Sequence, residues 1–332
     1  MTIPGFVNRL RNSSLASWFH GSAPTITTSG GWGAEGIYIV PAGGSVTTQQ
    51  IANGLANPWT FWAEAIIGNA SVSDVTVRFP IESFDAAPLA GQQVTCQVPV
   101  LNNTGASITP MLTVKRASAQ DASYTNTDVG PVALQTIANG ATGTLAYSWT
   151  ANVNSGKGLS IDIDFGNNFS ATGKSIQIGG GFDCHVTPGV ATGTVANPPT
   201  PIIPPAAGDM AWNQRFYEAS YDNGVAPGTA THTGIQGVFN PWGTGNSARQ
   251  SGVLIFKAPK RADPLMNLWD GAGNSNVSTE RNGATWTDNE CIIGLGGAGM
   301  TSAVVDQTNC GSGQTGSSLF IHYTADATLT GG

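Results

Sequence analysis

Charge is scarce in this chain. Lys, Arg, Asp and Glu make up 10% of its 332 residues, against roughly 25% in an average globular protein. The net charge is -7, and no basic cluster is present to neutralise phosphates, so nucleic acid is excluded as a partner. Long apolar runs are absent too. No segment approaches the ~20 apolar residues of a membrane span, so no membrane insertion is expected. The opening MTIPGFVNRLRNSS lacks the apolar stretch of a secretory signal. The expectation is a chain made in the cytoplasm and not exported by the usual route.

Reactive motifs are equally sparse. The four cysteines, Cys96, Cys184, Cys291 and Cys310, show no C-x-x-C spacing, so a zinc site is not indicated. One disulfide in each half and four reduced, buried thiols both remain open. His20, His185, His232 and His322 are scattered and fit satisfied structural roles. No G-x-S-x-G elbow or H-E-x-x-H helix occurs. Gly173-Lys174-Ser175 imitates the end of a phosphate loop, but it lies between strands and its upstream glycine is too distant. Asp162 and Asp164 share one face of a strand, and a solvated outer face outweighs a catalytic or metal-binding pair. No cofactor, metal or catalytic residue is expected.

What the chain does have is glycine, small polar residues and short apolar segments with period-two alternation. Candidate strands lie at 36–40, 59–67, 75–79, 94–100, 111–116, 144–149, 159–165 and 175–178, then at 252–258, 291–295 and 318–325. Turn signals such as Asn53-Gly54 and Asn139-Gly140 separate them. The glycine stretches 294–299 and 311–316 are expected to be loops. Between the two groups of strands lies ANPPTPIIPPAAGDMAWNQRFYEASY, residues 196–221. Its prolines forbid helix and inner strand, so 196–208 is an extended tether. Met210, Gln214, Tyr217 and Tyr221 then recur at helical spacing, predicting a helix over 209–221 with Asp209 as a possible cap. The fold class is therefore all-β: two antiparallel, jelly-roll-like sandwiches joined by a Pro-rich linker and one short helix. The expected domains are 1–195, the linker 196–208, and 209–332.

Three stretches carry a resemblance. Gln214-Arg215-Phe216-Tyr217-Glu218-Ala219-Ser220-Tyr221, the segment 256–263 followed by Pro264, and Ile321-His322-Tyr323-Thr324-Ala325-Asp326-Ala327 resemble the helix, the entering strand and the last strand of phage tail-fibre or receptor-binding proteins. Members of that family combine an N-terminal, carbohydrate-binding-module-like jelly roll with a trimeric C-terminal β-domain. Residues 164–175 with Thr187-Pro188-Gly189 are similar to the family's last jelly-roll strands, and 8–14 to its opening. Asn213 stands where a cysteine is common, and the tether holds more prolines than usual. The resemblance implies a virion location, a homotrimer, contact with other virion proteins through residues 1 to about 15, and host-surface polysaccharide as ligand. A purely structural head-fibre, decoration or baseplate-spacer protein is the alternative. A glycan depolymerase or esterase is the third reading.

Sugars present apolar ring faces to aromatic side chains and hydroxyls to a polar rim. The glycan-binding candidates are accordingly Trp32, in a glycine loop, and Trp242, Trp269 and Trp286, each near a loop of the second half. The competing role for each is a plug under its loop or a subunit contact. Trp212, Phe216 and Tyr217 are the expected trimer contacts, facing either the sheet or a neighbour.

Overall fold

The computed structural model describes residues 7–52, 55, 62–239, 250–282, 285–289, 291–310 and 318–328. They fall into two compact units, one built from 7–18 and 22–210 and the other from 19–21 and 211–328. No described helix is long and apolar enough to cross a membrane. In chain order the first unit contains β1 (Thr25–Ile26), β2 (Gly31–Trp32), β3 (Tyr38–Ala42), β4 (Val46–Ala52), β5 (Trp62–Ile67) and β6 (Asp74–Ile81). A helical turn α1 (Ser83–Ala86) precedes β7 (Gln93–Asn103), β8 (Met111–Arg116), β9 (Asn126–Ala133) and β10 (Thr142–Thr150). Then come β11 (Leu159–Asp164), β12 (Ser175–Gly179), β13 (Asp183–Val186) and β14 (Gly193–Thr194).

These strands form two antiparallel sheets. One runs β1-β4-β5-β12-β7-β10-β14, with β13 also on β7; the other runs β2-β3-β6-β11-β8-β9. Four adjacent strands of each, β5-β12-β7-β10 and β6-β11-β8-β9, have the strand order of a jelly roll, in which the chain passes repeatedly from one sheet to the other. Alternation along each strand puts Val98, Val100 and Ile178 of the first sheet against Val77, Phe79 and Ile161 of the second. Residues 8–18 belong to this core: Leu10, Leu15 and Trp18 are buried, and Arg9 donates its backbone N–H to the Cys184 carbonyl at 2.9 Å. The stretch 8–15, expected as an arm toward other virion proteins, is thus occupied in the sandwich. Cys96 and Cys184 face each other across β7 and β13 and are disulfide-bonded. Cys291 is disulfide-bonded as well.

The proline tether lies against the first sheet's outer surface. Gln97 donates Nε2–H to the Pro199 carbonyl at 2.7 Å, and the Asp183 carboxylate accepts from the Ile202 N–H at 3.0 Å. A segment poor in donors is held by side chains that reach up to its carbonyls and its few N–H groups.

The helix is shorter than its spacing predicts. α2 (Ala206–Gln214) ends there, and β15 (Tyr217–Ala219) begins three residues later. Tyr217 and Tyr221 fit a helical repeat and equally a strand repeat of two, and 216–221 are all buried, which erases the alternation that would tell the two apart. Asp209 does not cap the helix. Its carboxylate accepts the backbone N–H of Asn12 and the hydroxyl of Ser14, both at 2.8 Å. Trp212 is half-buried. Phe216 and Tyr217 are buried within the single chain, with two guanidiniums, Arg215 and Arg261, over the Phe216 ring and His20 against Tyr217. Within this chain Phe216 and Tyr217 are turned inward by β-pairing, the first of the two placements expected for them, facing the sheet.

After β15 the second unit continues with β16 (Gln236–Phe239), β17 (Gln250–Ile255), β18 (Leu265–Trp269), β19 (Thr279–Asn282), β20 (Thr285–Thr287), β21 (Cys291–Ala298), β22 (Ser302–Cys310) and β23 (Ser318–Asp326). β23 is the hub, pairing with β15, β16, β18 and β19, while β17-β22-β21 form a separate three-stranded sheet. Leu254, Ile293 and Val305 of the small sheet pack with Leu268, Ile321 and Tyr323. The expected loop at 294–299 is mostly strand: β21 runs to Ala298 with an irregularity between Leu295 and Gly297. A Cβ at Gly296 would stand 2.5 Å from Asp306 Oδ2, so glycine there lets the strand pass its neighbour. Asn53-Gly54, Trp59 and the glycine stretch 311–316 lie outside the described residues.

The second unit is centred on a buried ion pair. Glu218 on β15 accepts from Lys260 Nζ at 2.7 Å with both side chains fully buried. Lys260 also donates to the carbonyls of Gln214 and Ala258, and the other Glu218 oxygen accepts from the Tyr323 hydroxyl at 2.5 Å. Burial and the adjacent Glu218 charge push the Tyr323 phenol well above its ordinary range. Removing one partner strands a charge away from water. Lys260→Met is expected to destabilise the second unit by ~3–5 kcal/mol, read as a lower urea midpoint by tryptophan fluorescence; an unchanged midpoint would contradict the buried pair.

Candidate aromatic-edged binding faces

The outer face of the second sheet of the first unit carries a row of polar and aromatic side chains. Tyr38, Arg78, Asp162 and Thr113 stand side by side across β3, β6, β11 and β8, so all four point the same way. Asp162 was expected on a solvated surface, but its carboxylate is buried and accepts from Arg78 Nε at 3.1 Å, Lys115 Nζ at 3.0 Å and the Ser160 hydroxyl at 2.5 Å. The carboxylate locks two cations and a hydroxyl into a fixed row. Asp164 accepts from the Gly166 N–H at 2.7 Å. It also shares a hydrogen bond with Asp74, whose carboxyl is pushed up to about 6 by burial, by that bond and by the neighbouring charge. Carboxylates in direct contact lack the ~5 Å or wider gap of a glycosidase acid and nucleophile. No cluster of three or more potential metal ligands occurs among the described residues.

Trp32 forms the aromatic edge of this face. It is opposite Tyr38 in the β2–β3 ladder, the two rings meeting edge-on at 5.1 Å, with the Arg11 guanidinium 5.6 Å from the indole centre. Backbone constraints fix the loop. Gly30 has φ +80°, and a Cβ there would lie within 2.8 Å of the Tyr38 ring. A Cβ at Gly33 would stand 1.7 Å from Glu64 Oε1, and the same oxygen accepts from the Ala34 N–H at 3.3 Å. Glu64 is fully buried on β5 and thus ties the Trp32 loop to the opposite sheet.

A second aromatic group lies in the second unit. Trp286 stacks with His232 at 4.7 Å and meets Phe320 edge-on at 5.1 Å, while the Arg281 guanidinium lies 4.9 Å from its ring. Asp288 holds His232 at 3.2 Å and accepts from the Thr279 hydroxyl at 2.6 Å. Trp269 meets Tyr221 edge-on at 6.1 Å, and Tyr221 stacks on His322 at 3.9 Å. The Ser220 hydroxyl is 2.9 Å from His322 Nδ1, and Nε2 of the same ring is 2.9 Å from the Thr231 carbonyl. Burial pulls the His322 imidazolium below its ordinary range. Both partners of this Ser–His contact are buried, which fits a structural role better than an attacking nucleophile. Trp269 and Trp286 are half-buried; Trp242 lies outside the described residues. Tyr38, Arg78, His232 and Arg281 carry no motif and are assembled only by strand pairing and loop packing.

No family model and no curated protein matches this sequence. Several solved structures are similar. The enzymatically active domain of bacteriophage CBA120 tailspike protein 4 matches at 10% identity and a TM-score of 0.38, over 56% of this chain and 22% of that one. The CBM22-1 xylan-binding domain of Paenibacillus barcinonensis Xyn10C matches at 13% identity and 0.32, over 51% of this chain and 96% of that one. The tandem CBM22-1–CBM22-2 of the same protein matches at 11% and 0.32, over 94% and 92%. This chain spans only about a fifth of the tailspike structure's length. Each similarity is one of broad β-architecture at low identity.

The buried Glu64 gives the first unit a distinctive pH response. Burial pushes its carboxyl from 4.5 up to about 8, so the folded state holds a proton that the unfolded chain releases. Its contribution to stability is complete below about pH 4.5 and is lost as pH rises through 8. Glu64→Gln is expected to match the wild type near pH 5 and to unfold at higher urea than the wild type at pH 9. A constant difference between the two midpoints from pH 5 to 9 would contradict the assignment.

Proposed function

We propose that this chain is a phage virion fibre protein that binds host-surface glycan as a homotrimer and performs no chemistry on it. The observation that carries the glycan reading is the outer face of the β2-β3-β6-β11-β8-β9 sheet. It offers half-buried aromatic side chains, Trp32 and Tyr38, at one edge and, beside them, a row of hydrogen-bonding groups, Arg78, Thr113 and Lys115, with both cations held by the buried Asp162. A sugar ring placed on the aromatic edge meets donors and acceptors already fixed in position, and a site ordered in advance loses little entropy on binding. The two cations of this row, Arg78 and Lys115, share Asp162, and Asp164 stands on the same face, so neutral polysaccharide suits it better than a strongly anionic one. The Trp286–His232 and Trp269–Tyr221 groups supply a second aromatic surface. The fibre role and trimer are supported by the resemblance of 214–221, 256–264 and 321–327 to receptor-binding proteins. In a trimer, weak sites on one particle gain avidity without new contacts.

The structural alternative, a head-fibre, decoration or spacer protein, is favoured by one observation: much of the Trp286 ring is already covered by His232 and Arg281. Affinity electrophoresis of the full chain against a panel of neutral polysaccharides, with adsorption to host cells, separates the two. Trp32→Ala is expected to weaken binding at least tenfold with the far-UV circular dichroism unchanged. Absence of binding to every polysaccharide and to host cells would leave the structural role.

A further inference from the structure

The small sheet β17-β22-β21 has one face in the core of the second unit, and on the other several described apolar side chains are exposed. Leu254, Ala303, Val305 and Ile293 point inward. On the outward positions Val253 is 60% exposed, Ile255 78%, Ile292 47% and Val304 40%. Val253 and Val304 are direct partners in the ladder. A sheet with one wet face alternates apolar and polar residues, whereas Val253-Leu254-Ile255-Phe256 is unbroken, the pattern of a strand covered on both sides.

The glycines of β21 make the same point independently. A Cβ added at Gly294 or Gly297 would meet nothing within 4 Å, and neither residue is among the glycines with positive φ. Among the described residues, neither packing nor backbone requires glycine at either place. Glycine inside a strand marks a bulge, a bend or the close approach of a ligand or another backbone; Gly297 adjoins the irregularity after Leu295, while at Gly294 the described residues leave room for a second chain. Among the described residues, the ladder positions of this face carry one ionisable group, Asp306, and it accepts from the Ser251 hydroxyl at 2.5 Å. The face is flat, apolar and almost uncharged, and such a surface is complementary to itself. Val253, Ile255, Ile292 and Val304 offer on the order of 400 Å² per copy, about half of the roughly 800 Å² per partner of a standard stable interface. The smooth glycine backbone adds to that area.

We infer that this face meets the corresponding faces of two further copies of the chain around the threefold axis of the trimer. The inference rests on the self-association proposed above and gives it a location. Light scattering of the full chain at 1–20 µM (on the order of typical working concentrations) provides the test. The wild type is expected at a multiple of 34.0 kDa. Ile255→Asp and the milder Ile255→Ser are expected to shift it to the monomer mass with unchanged circular dichroism. Leu265→Asp, at an exposed position on β18, is expected to leave the mass unchanged. An oligomer that survives both Ile255 variants overturns this location while the self-association stands. A wild-type monomer overturns both, and neither result bears on glycan binding through Trp32.

Discussion

A carboxylate that leaves water must find cations and donors, and the Glu218–Lys260 pair shows how this chain meets that demand. One short contact, two carbonyls and a phenol hydroxyl surround charges that have no exposed surface. The result joins β15, the segment after β17 and the central strand β23. The desolvation cost of such a pair is large, so its value lies in admitting only one arrangement. A well-packed apolar replacement would fill the space without dictating which strands meet.

The same economy recurs in the first unit. With so few charges available, Asp162 fixes Arg78 and Lys115 in one row, Asp209 ties residues 12–14 to the start of α2, Asp183 holds the tether, and Glu64 anchors the Trp32 loop. Most of these carboxylates are spent on internal geometry. What reaches the surface is mostly neutral: aromatic edges, hydroxyls and amides. A surface of that kind holds its rings and hydrogen-bonding groups in fixed positions, and the glycan reading proposed above rests on that feature.

The strand pattern was readable from alternation and turn residues. The run 111–116 matches β8 in full, and the runs at 94–100, 144–149, 159–165, 175–178 and 318–325 lie within a few residues of β7, β10, β11, β12 and β23. Errors cluster where a local signal has two physical meanings. Tyr217 and Tyr221 satisfy helical and strand periods together, and glycines at 294–299 read as a loop because they also build flat strands. Asp162 and Asp164 sit correctly on one outward face, yet their roles diverge because neighbours from β6 and β8 supply cations to one and β6 supplies a second acid to the other.

The order of residues alone determined that this is an all-β chain with a stiff proline segment, poor in charge and without a motif for catalysis or metal binding. Periodicity and turn chemistry are local, so they survive in one dimension. Tertiary structure decided which carboxylates are buried, which tryptophans keep company with arginine or histidine, and which apolar faces stay uncovered. Those outcomes depend on pairings between strands as much as a hundred residues apart, as for Ser220 and His322, and no spacing rule in the sequence records which strand will become whose neighbour.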